Sequence, residues 1–221
     1  MSIRELVTSG YYKGITNKEL WNKASAEYGA VFINPPNPEL LNLLIGMTTP
    51  ESTIFEYGCS TGMNLAYLIN KGRPHVSGVD ISDVAIAQGL ETYGDLDLQI
   101  SVADYSQPVG TKSVGAPCDL IFTRGTLQHL NGDEVKNALS TLLSMLKPGG
   151  ILAIDEANTN GVSTEILDIT NNLHAHPWGY LFTQVYGGLI QEIAPPRPYE
   201  NSHKLTPFIL VKKGQEDEKE V

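Results

Sequence analysis

The sequence predicts an α/β fold: a mostly parallel seven-stranded sheet with an antiparallel last strand and helices on both faces. Three observations predict it. From residue 53 onward, short apolar runs alternate with segments of helical periodicity. The stretch Ile54-Phe55-Glu56-Tyr57-Gly58-Cys59-Ser60-Thr61-Gly62 reads as a buried strand ending in a glycine turn that runs into a helix. Towards the C-terminus, two extended segments follow one another with no helix between them, as in an antiparallel pair.

Each element has its own justification. Residues 16–30 read as a helix from the spacing of Leu20, Trp21, Ala24 and Tyr28. The run Asn34-Pro35-Pro36-Asn37-Pro38 breaks it and starts the next, with Asn37 as N-cap and Pro38 at the first helical position. Strands follow at residues 53–57, 75–80, 98–103, 118–123 and 151–155, the fourth apolar enough to be buried on both faces. Helices at 64–70, 83–93 and 133–146 separate them; Ser82 caps the second and Lys147-Pro148-Gly149-Gly150 closes the third. Residues 163–172 read as a further helix. Segments 188–193 and 205–212 are extended, joined through Pro195, Pro196 and Pro198. We read residues 1–213 as one domain, with 1–45 as a helical lid or cap, and 214–221 as an acidic flexible tail.

The chain has 221 residues, enough for one substantial core. Its net charge of -10 argues against a nucleic-acid partner, which needs clustered Lys and Arg. Two distant cysteines, Cys59 and Cys118, suggest neither disulfide nor zinc, and no metal is expected. Arg4, Glu5 and Lys13 interrupt the N-terminal residues and no long apolar run appears. Neither a signal peptide nor a membrane span is therefore expected, with the cytoplasm as the default location.

The glycine turn narrows the ligand. Glycines let a cofactor approach the backbone, and the following helix N-terminus presents free N–H groups. A dinucleotide turn starting at Gly58 would need glycine at positions 60 and 63, where Ser60 and Met63 stand. A phosphate-binding P-loop would need a following Gly-Lys-Ser/Thr, which is missing. What stands is acid-x-Gly-x-Ser-x-Gly, from Glu56 through Gly58 and Ser60 to Gly62. Asp80 ends the second strand, where an acid accepts hydrogen bonds from ribose hydroxyls.

This turn resembles motif I of the class I S-adenosylmethionine-dependent methyltransferases, and the resemblance extends over roughly residues 50–155. Gly78-Val79-Asp80-Ile81-Ser82, Ala103-Asp104-Tyr105, the segment from Pro117 through Arg124 to Leu130, and Leu146-Lys147-Pro148-Gly149-Gly150 follow in the family's order. The resemblance implies a Rossmann-like class I methyltransferase fold. It implies S-adenosylmethionine as cofactor, leaving S-adenosylhomocysteine as product. Glu56, Gly58, Ser60, Gly62, Asp80, Ile81, Asp104, Tyr105 and Arg124 are then the cofactor residues. In the family, the acid at the position of Asp104 faces the adenine amine and its neighbour flanks the ring. Phe55 through Leu65 and Phe122 through Asn131 are also similar to small methylases associated with pseudaminic acid biosynthesis, without a substrate following from it.

Methyl transfer needs an aligned nucleophile and, for oxygen or nitrogen acceptors, a base. His129 follows the fourth strand and is the candidate base, the alternative being a loop residue packing on the cofactor. Arg124 anchors either a carboxylate of a ligand or a neighbouring acid. The cluster His174, His176, Trp178 and Tyr180 reads as a substrate wall, with Tyr12 and Trp21 on the lid. A surface patch serving a homodimer is the competing reading of that cluster. The expected activity is methylation of a small-molecule acceptor at oxygen or nitrogen, in sugar or secondary-metabolite biosynthesis. A non-catalytic cofactor-binding subunit and an NAD-dependent oxidoreductase are the alternatives.

Overall fold

The computed structural model describes residues 15–28, 36–107, 116–159, 161–168, 173–194 and 209–214. Tyr11, Tyr12, the Pro195–Pro198 connection and the charged tail beyond 214 lie outside them. Alternating elements build the chain in order: helix α1 (Asn17–Tyr28), α2 (Pro38–Gly46), β1 (Ile54–Tyr57), α3 (Met63–Asn70), β2 (Val76–Asp80), α4 (Asp83–Thr92), β3 (Gln99–Val102), β4 (Cys118–Arg124), α5 (Gly132–Met145) and β5 (Leu146–Asp155). A hairpin of β6 (Glu165–Asp168) and β7 (Leu173–Ala175) follows, then β8 (Ile190–Ala194) and β9 (Ile209–Lys213).

Seven strands form one sheet in the order β3-β2-β1-β4-β5-β9-β8. The first five are parallel; β9 runs antiparallel between β5 and β8, so the last strand in the chain is the inserted one. The chain reverses its direction of winding between β1 and β4. In open parallel sheets a ligand crevice forms outside the carboxyl ends of the strands at that point.

Local chemistry explains the boundaries. Asn37 accepts the N–H groups of Glu39 and Leu40, and Pro38 opens α2. Ser82 accepts the N–H of Ala85 to cap α4. Asn131 and Glu134 cap α5 reciprocally. Leu40, Leu41, Leu44, Leu65, Leu68 and Ile86 bury one face of the sheet. Val135, Ala138, Leu139 and Leu142 of α5 bury the other, joined by Trp178 and Phe182.

The helix expected over residues 163–172 is not formed: Glu165–Asp168 is the strand β6, paired antiparallel with β7. Thr164 and Ile166 are β-branched and favour extended backbone. The partner strand Leu173–Ala175 offers ladder hydrogen bonds that a lone exposed helix would lack.

Candidate functional site

A cleft of about 620 Å³ opens at the carboxyl ends of β1, β2 and β4, with α1 along one side. Of the residues read from the sequence, Gly58, Ser60, Asp80, Ile81, Asp104, Arg124, His129 and Trp21 line it. With α1 docked beside the sheet, the cleft brings together side chains more than 100 positions apart, such as Trp21 and His129.

The turn after β1 forms the floor. Gly58, Ser60 and Gly62 all have left-handed backbone, at φ 77°, 52° and 76°. Ser60 thus takes the conformation a glycine would take more freely. A Cβ on Gly58 would overlap the Thr126 side chain, so glycine is required there by both space and φ. Asp80 fixes the turn: one carboxylate oxygen accepts the Ser60 N–H at 2.9 Å and the other accepts the Ser82 N–H at 2.8 Å. Burial pushes its pKa upward, opposed by those N–H groups. The carboxylate keeps lone-pair capacity for a further donor in the cleft.

Glu56 lies beneath the turn, 1% exposed, accepting the Asn64 side-chain amide at 2.6 Å. Burial raises its pKa to about 8. Glu56 Oε2, Thr61 Oγ1 and Asn64 Oδ1 have no hydrogen-bond partner among the described residues. A void of about 10 Å³ lined by Glu56, Ser60, Thr61 and Asn64 adjoins them. Orphaned polar atoms of this kind fit the polar end of an amino-acid-bearing nucleoside, directly or through one water. The glycine cradle, Asp80 and this buried polar set together fit S-adenosylmethionine.

At the other end of the cleft, the His129 ring meets the Trp21 ring edge-on, with centroids 4.8 Å apart at 72°. The Asn17 amide donates to the His129 carbonyl at 3.3 Å, so α1 docks on the turn after β4. Arg124 lines the cleft and pairs with Asp155 at 3.2 Å, joining the ends of β4 and β5. Gln128 also lines the cleft, and its Oε1 has no partner among the described residues. Gln128 was not singled out by its sequence: a lone amide in a loop carries no spacing signal.

Several expected residues lie elsewhere. Tyr105 does not face the cleft; it stacks on Tyr57 at 5.4 Å and 2° in the core, because Phe55 and Tyr57 offer it an aromatic face. Gly62 and Glu56 support the turn from behind rather than line the cleft. His174, His176 and Trp178 form no substrate wall. His176 and Trp178 are 0% exposed, and the four rings from His174 to Phe182 pack in series into the core, stacked at both ends and edge-on between His176 and Trp178. Their apolar area outweighs the pull of the ring nitrogens towards water, since both His176 nitrogens and the Trp178 indole N–H find internal partners. Burial lowers the His176 pKa to about 4. Tyr180 is 40% exposed and away from the cleft, and Tyr12 lies outside the described residues. Glu156, fully buried at the end of β5 with its pKa raised by burial to about 7, was not read from the sequence. It accepts backbone N–H groups from the turn that carries His129.

Among the described residues, no group of three or more His, Cys, Asp or Glu is placed to hold a metal ion, and no helix is long and apolar enough to cross a membrane.

Known proteins agree with this architecture. Residues 55–152 match a family model described as a methyltransferase domain. Phosphoethanolamine N-methyltransferase 1 of Triticum aestivum is 30% identical over 122 residues, 54% of this chain and 24% of the relative. An uncharacterized methyltransferase of Staphylococcus carnosus is 34% identical over 133 residues, 60% of this chain and 58% of the relative. The chain therefore spans from a quarter to just under three fifths of the length of these curated relatives. The solved structure of the Burkholderia thailandensis 1,6-didemethyltoxoflavin-N1-methyltransferase, with bound 1,6-didemethyltoxoflavin and S-adenosylhomocysteine, superposes with a TM-score of 0.60 at 17% identity. That match covers 96% of this chain and 88% of the other and reports the fold alone. The ordered motifs, the sheet order and the cleft that joins them are similar to those of the class I S-adenosylmethionine-dependent methyltransferase superfamily, and the match to a methyltransferase domain spans residues 55–152.

Proposed function

We propose that this protein transfers a methyl group from S-adenosylmethionine to a small-molecule acceptor, at oxygen or nitrogen. The observation that carries the reading is a single cleft with a glycine turn and Asp80 at one end and Trp21, Gln128 and His129 at the other. Its volume of about 620 Å³ suits a nucleoside cofactor and a small acceptor together. Asp80, Asp104 and Glu134 in its walls, with a net charge of -10, disfavour a phosphate-backbone substrate. The wheat relative's phosphoethanolamine and the bacterial neighbour's toxoflavin precursor, both small acceptors by name, support the same class.

In this reading Asp80 holds the ribose hydroxyls, Asp104 the adenine edge, Arg124 a carboxylate, and Glu56 with Asn64 the ammonium end. Bound S-adenosylmethionine would supply a methyl group already activated on a sulfonium. The chain's work is then alignment and exclusion of water by α1. His129 takes the proton that an oxygen or nitrogen acceptor must lose.

Calorimetry with S-adenosylhomocysteine and with NAD tests the cofactor half. Micromolar binding of the first and none of the second is expected; binding of NAD alone would overturn the reading. Incorporation of labelled methyl from S-adenosylmethionine into trial acceptors, phosphoethanolamine among them, tests the acceptor half. Cofactor binding with no turnover across amine, hydroxyl and heterocyclic acceptors would favour the non-catalytic subunit instead.

A further inference from the structure

The wall of the cleft carrying Gln128 and His129 is held from beneath by two buried side chains that do not line the cleft. Glu156 comes from the end of β5. One of its oxygens accepts the Thr126 N–H at 2.9 Å and the Thr123 hydroxyl at 2.7 Å; the other accepts the Gln128 N–H at 3.1 Å. His176 comes from the chain just after β7. Its Nε2 lies 2.9 Å from the Leu127 carbonyl oxygen and its Nδ1 3.1 Å from the Thr164 hydroxyl. A carbonyl only accepts, so Nε2 carries the proton and Nδ1 accepts from Thr164.

Both anchors belong to one strap. The His176 N–H donates to the Ala157 carbonyl at 3.2 Å, the Thr159 N–H to the His176 carbonyl at 3.0 Å, and the Trp178 indole to the Ala157 carbonyl at 2.9 Å. The end of β5 and the segment after β7 are thereby tied together under the turn. Three consecutive residues, Thr126, Leu127 and Gln128, each give this strap one backbone polar group. With those groups turned inward, the turn presents Gln128 and His129 to the cleft and presses Thr126 against Gly58. An apolar side chain at 156 would fill the space and leave three donors unsatisfied. No cation pairs with Glu156 among the described residues, so its carboxylate is buried for those donors.

We infer that Glu156 and His176 are positioning residues of the site. Glu156 gathers the N–H groups of the turn, His176 grips the Leu127 carbonyl, and together they set where Gln128 and His129 stand. The inference rests on the cleft being the ligand site proposed above, and its test separates the two.

Hydrogen exchange is measured on the full chain over residues 125–130, with and without S-adenosylhomocysteine. In Glu156→Ala and His176→Ala, exchange of this segment should rise at least about tenfold. Affinity for S-adenosylhomocysteine should fall about three- to tenfold, through Thr126 and Gly58. Glu156→Gln keeps an acceptor oxygen and His176→Gln keeps a donor, so each should restore most of the protection. Leu44→Ala, in the core on the other sheet face, is the control that lowers stability without touching the turn. Exchange at 125–130 that rises no more in Glu156→Ala than in Leu44→Ala would overturn the inference. Where an alanine variant fails to fold, the carbon-bound proton resonance of the His129 ring decides in Glu156→Asp and His176→Asn, whose shorter side chains draw the polar group back from the turn. A shift from the wild-type position supports the clamp and an unchanged position overturns it. A wild-type chain that does not bind S-adenosylhomocysteine defeats the cofactor reading, while the exchange comparison still judges the clamp.

Discussion

Three residues of the cleft carry different kinds of constraint. Gly58 is fixed by sterics: its φ of 77° penalises any side chain, and a Cβ would overlap Thr126. Gly58→Ala should lower unfolding stability by about 3 kcal/mol, a left-handed penalty plus an overpacking one, measured by urea unfolding. Asp80 is fixed by hydrogen bonding to Ser60 and Ser82. Asp80→Ala should weaken S-adenosylhomocysteine binding about ten- to a hundredfold by calorimetry, with Asp95→Ala, on an exposed turn, unchanged. His129 is fixed by its neighbours Trp21 and Asn17. His129→Ala should leave affinity for S-adenosylhomocysteine within about threefold while lowering turnover of an accepted substrate by about a hundredfold or more. Gly58 and Asp80 were legible in the sequence because spacing and strand-end position expose them. Tyr105 and Trp178 were misread because an aromatic ring carries the same letter whether it faces a ligand or a core.

Helix α1 shows how one side chain serves two elements. Ser82 accepts the Ala85 N–H as N-cap of α4, while its hydroxyl donates to the Asn22 side chain of α1 at 2.8 Å. Gln88 of α4 donates to the Ser25 carbonyl, and Lys18 pairs with Asp83 across the same contact. The exposed ion pair adds little, so of these three polar ties those of Ser82 and Gln88 contribute most to the docking of α1 on α4. Ser82→Ala should cost about 1–2 kcal/mol in unfolding and increase exchange in α1, whereas Asn22→Ala should affect α1 alone. The capping role of Ser82 was legible, since Ser before an apolar-periodic run is a local signal. Its tie to α1 was not, because it joins residues 60 positions apart. The β6–β7 hairpin was lost for a related reason: its strands stabilise each other, and neither has a pattern of its own.

Across the whole molecule, pH acts through groups buried without a cationic partner. Folding raises Glu56 to about 8 and Glu156 to about 7 from an ordinary 4.5. Their protonated forms are favoured in the folded state, so this contribution is complete below about pH 4.5 and is lost as pH rises through 7 and 8. His176, lowered to about 4 from 6.5, has the opposite sign: its contribution is complete above pH 6.5 and is lost towards pH 4. Two carboxyls outweigh one imidazole between pH 5 and 6.5. The thermal unfolding midpoint should therefore fall steadily from pH 5 to 8, and Glu56→Gln with Glu156→Gln should flatten that slope. A flat wild-type profile would contradict it. The parallel run of the first five strands was legible from alternation alone, but neither Glu156 nor the role of His176 under the turn after β4 was. A carboxylate that binds the backbone of a distant loop leaves no period and no motif.

The switch between β1 and β4 also orders events in time. Residues 54–80 contain the glycine turn and Asp80, and emerge from synthesis before β4 and β5. Thr126, which packs against Gly58, and Glu156, which holds Thr126, come roughly fifty to a hundred residues later. A growing chain would thus own its most recognisable ligand motif well before it could retain a ligand, and capture of the cofactor would mark arrival of the segment through β5.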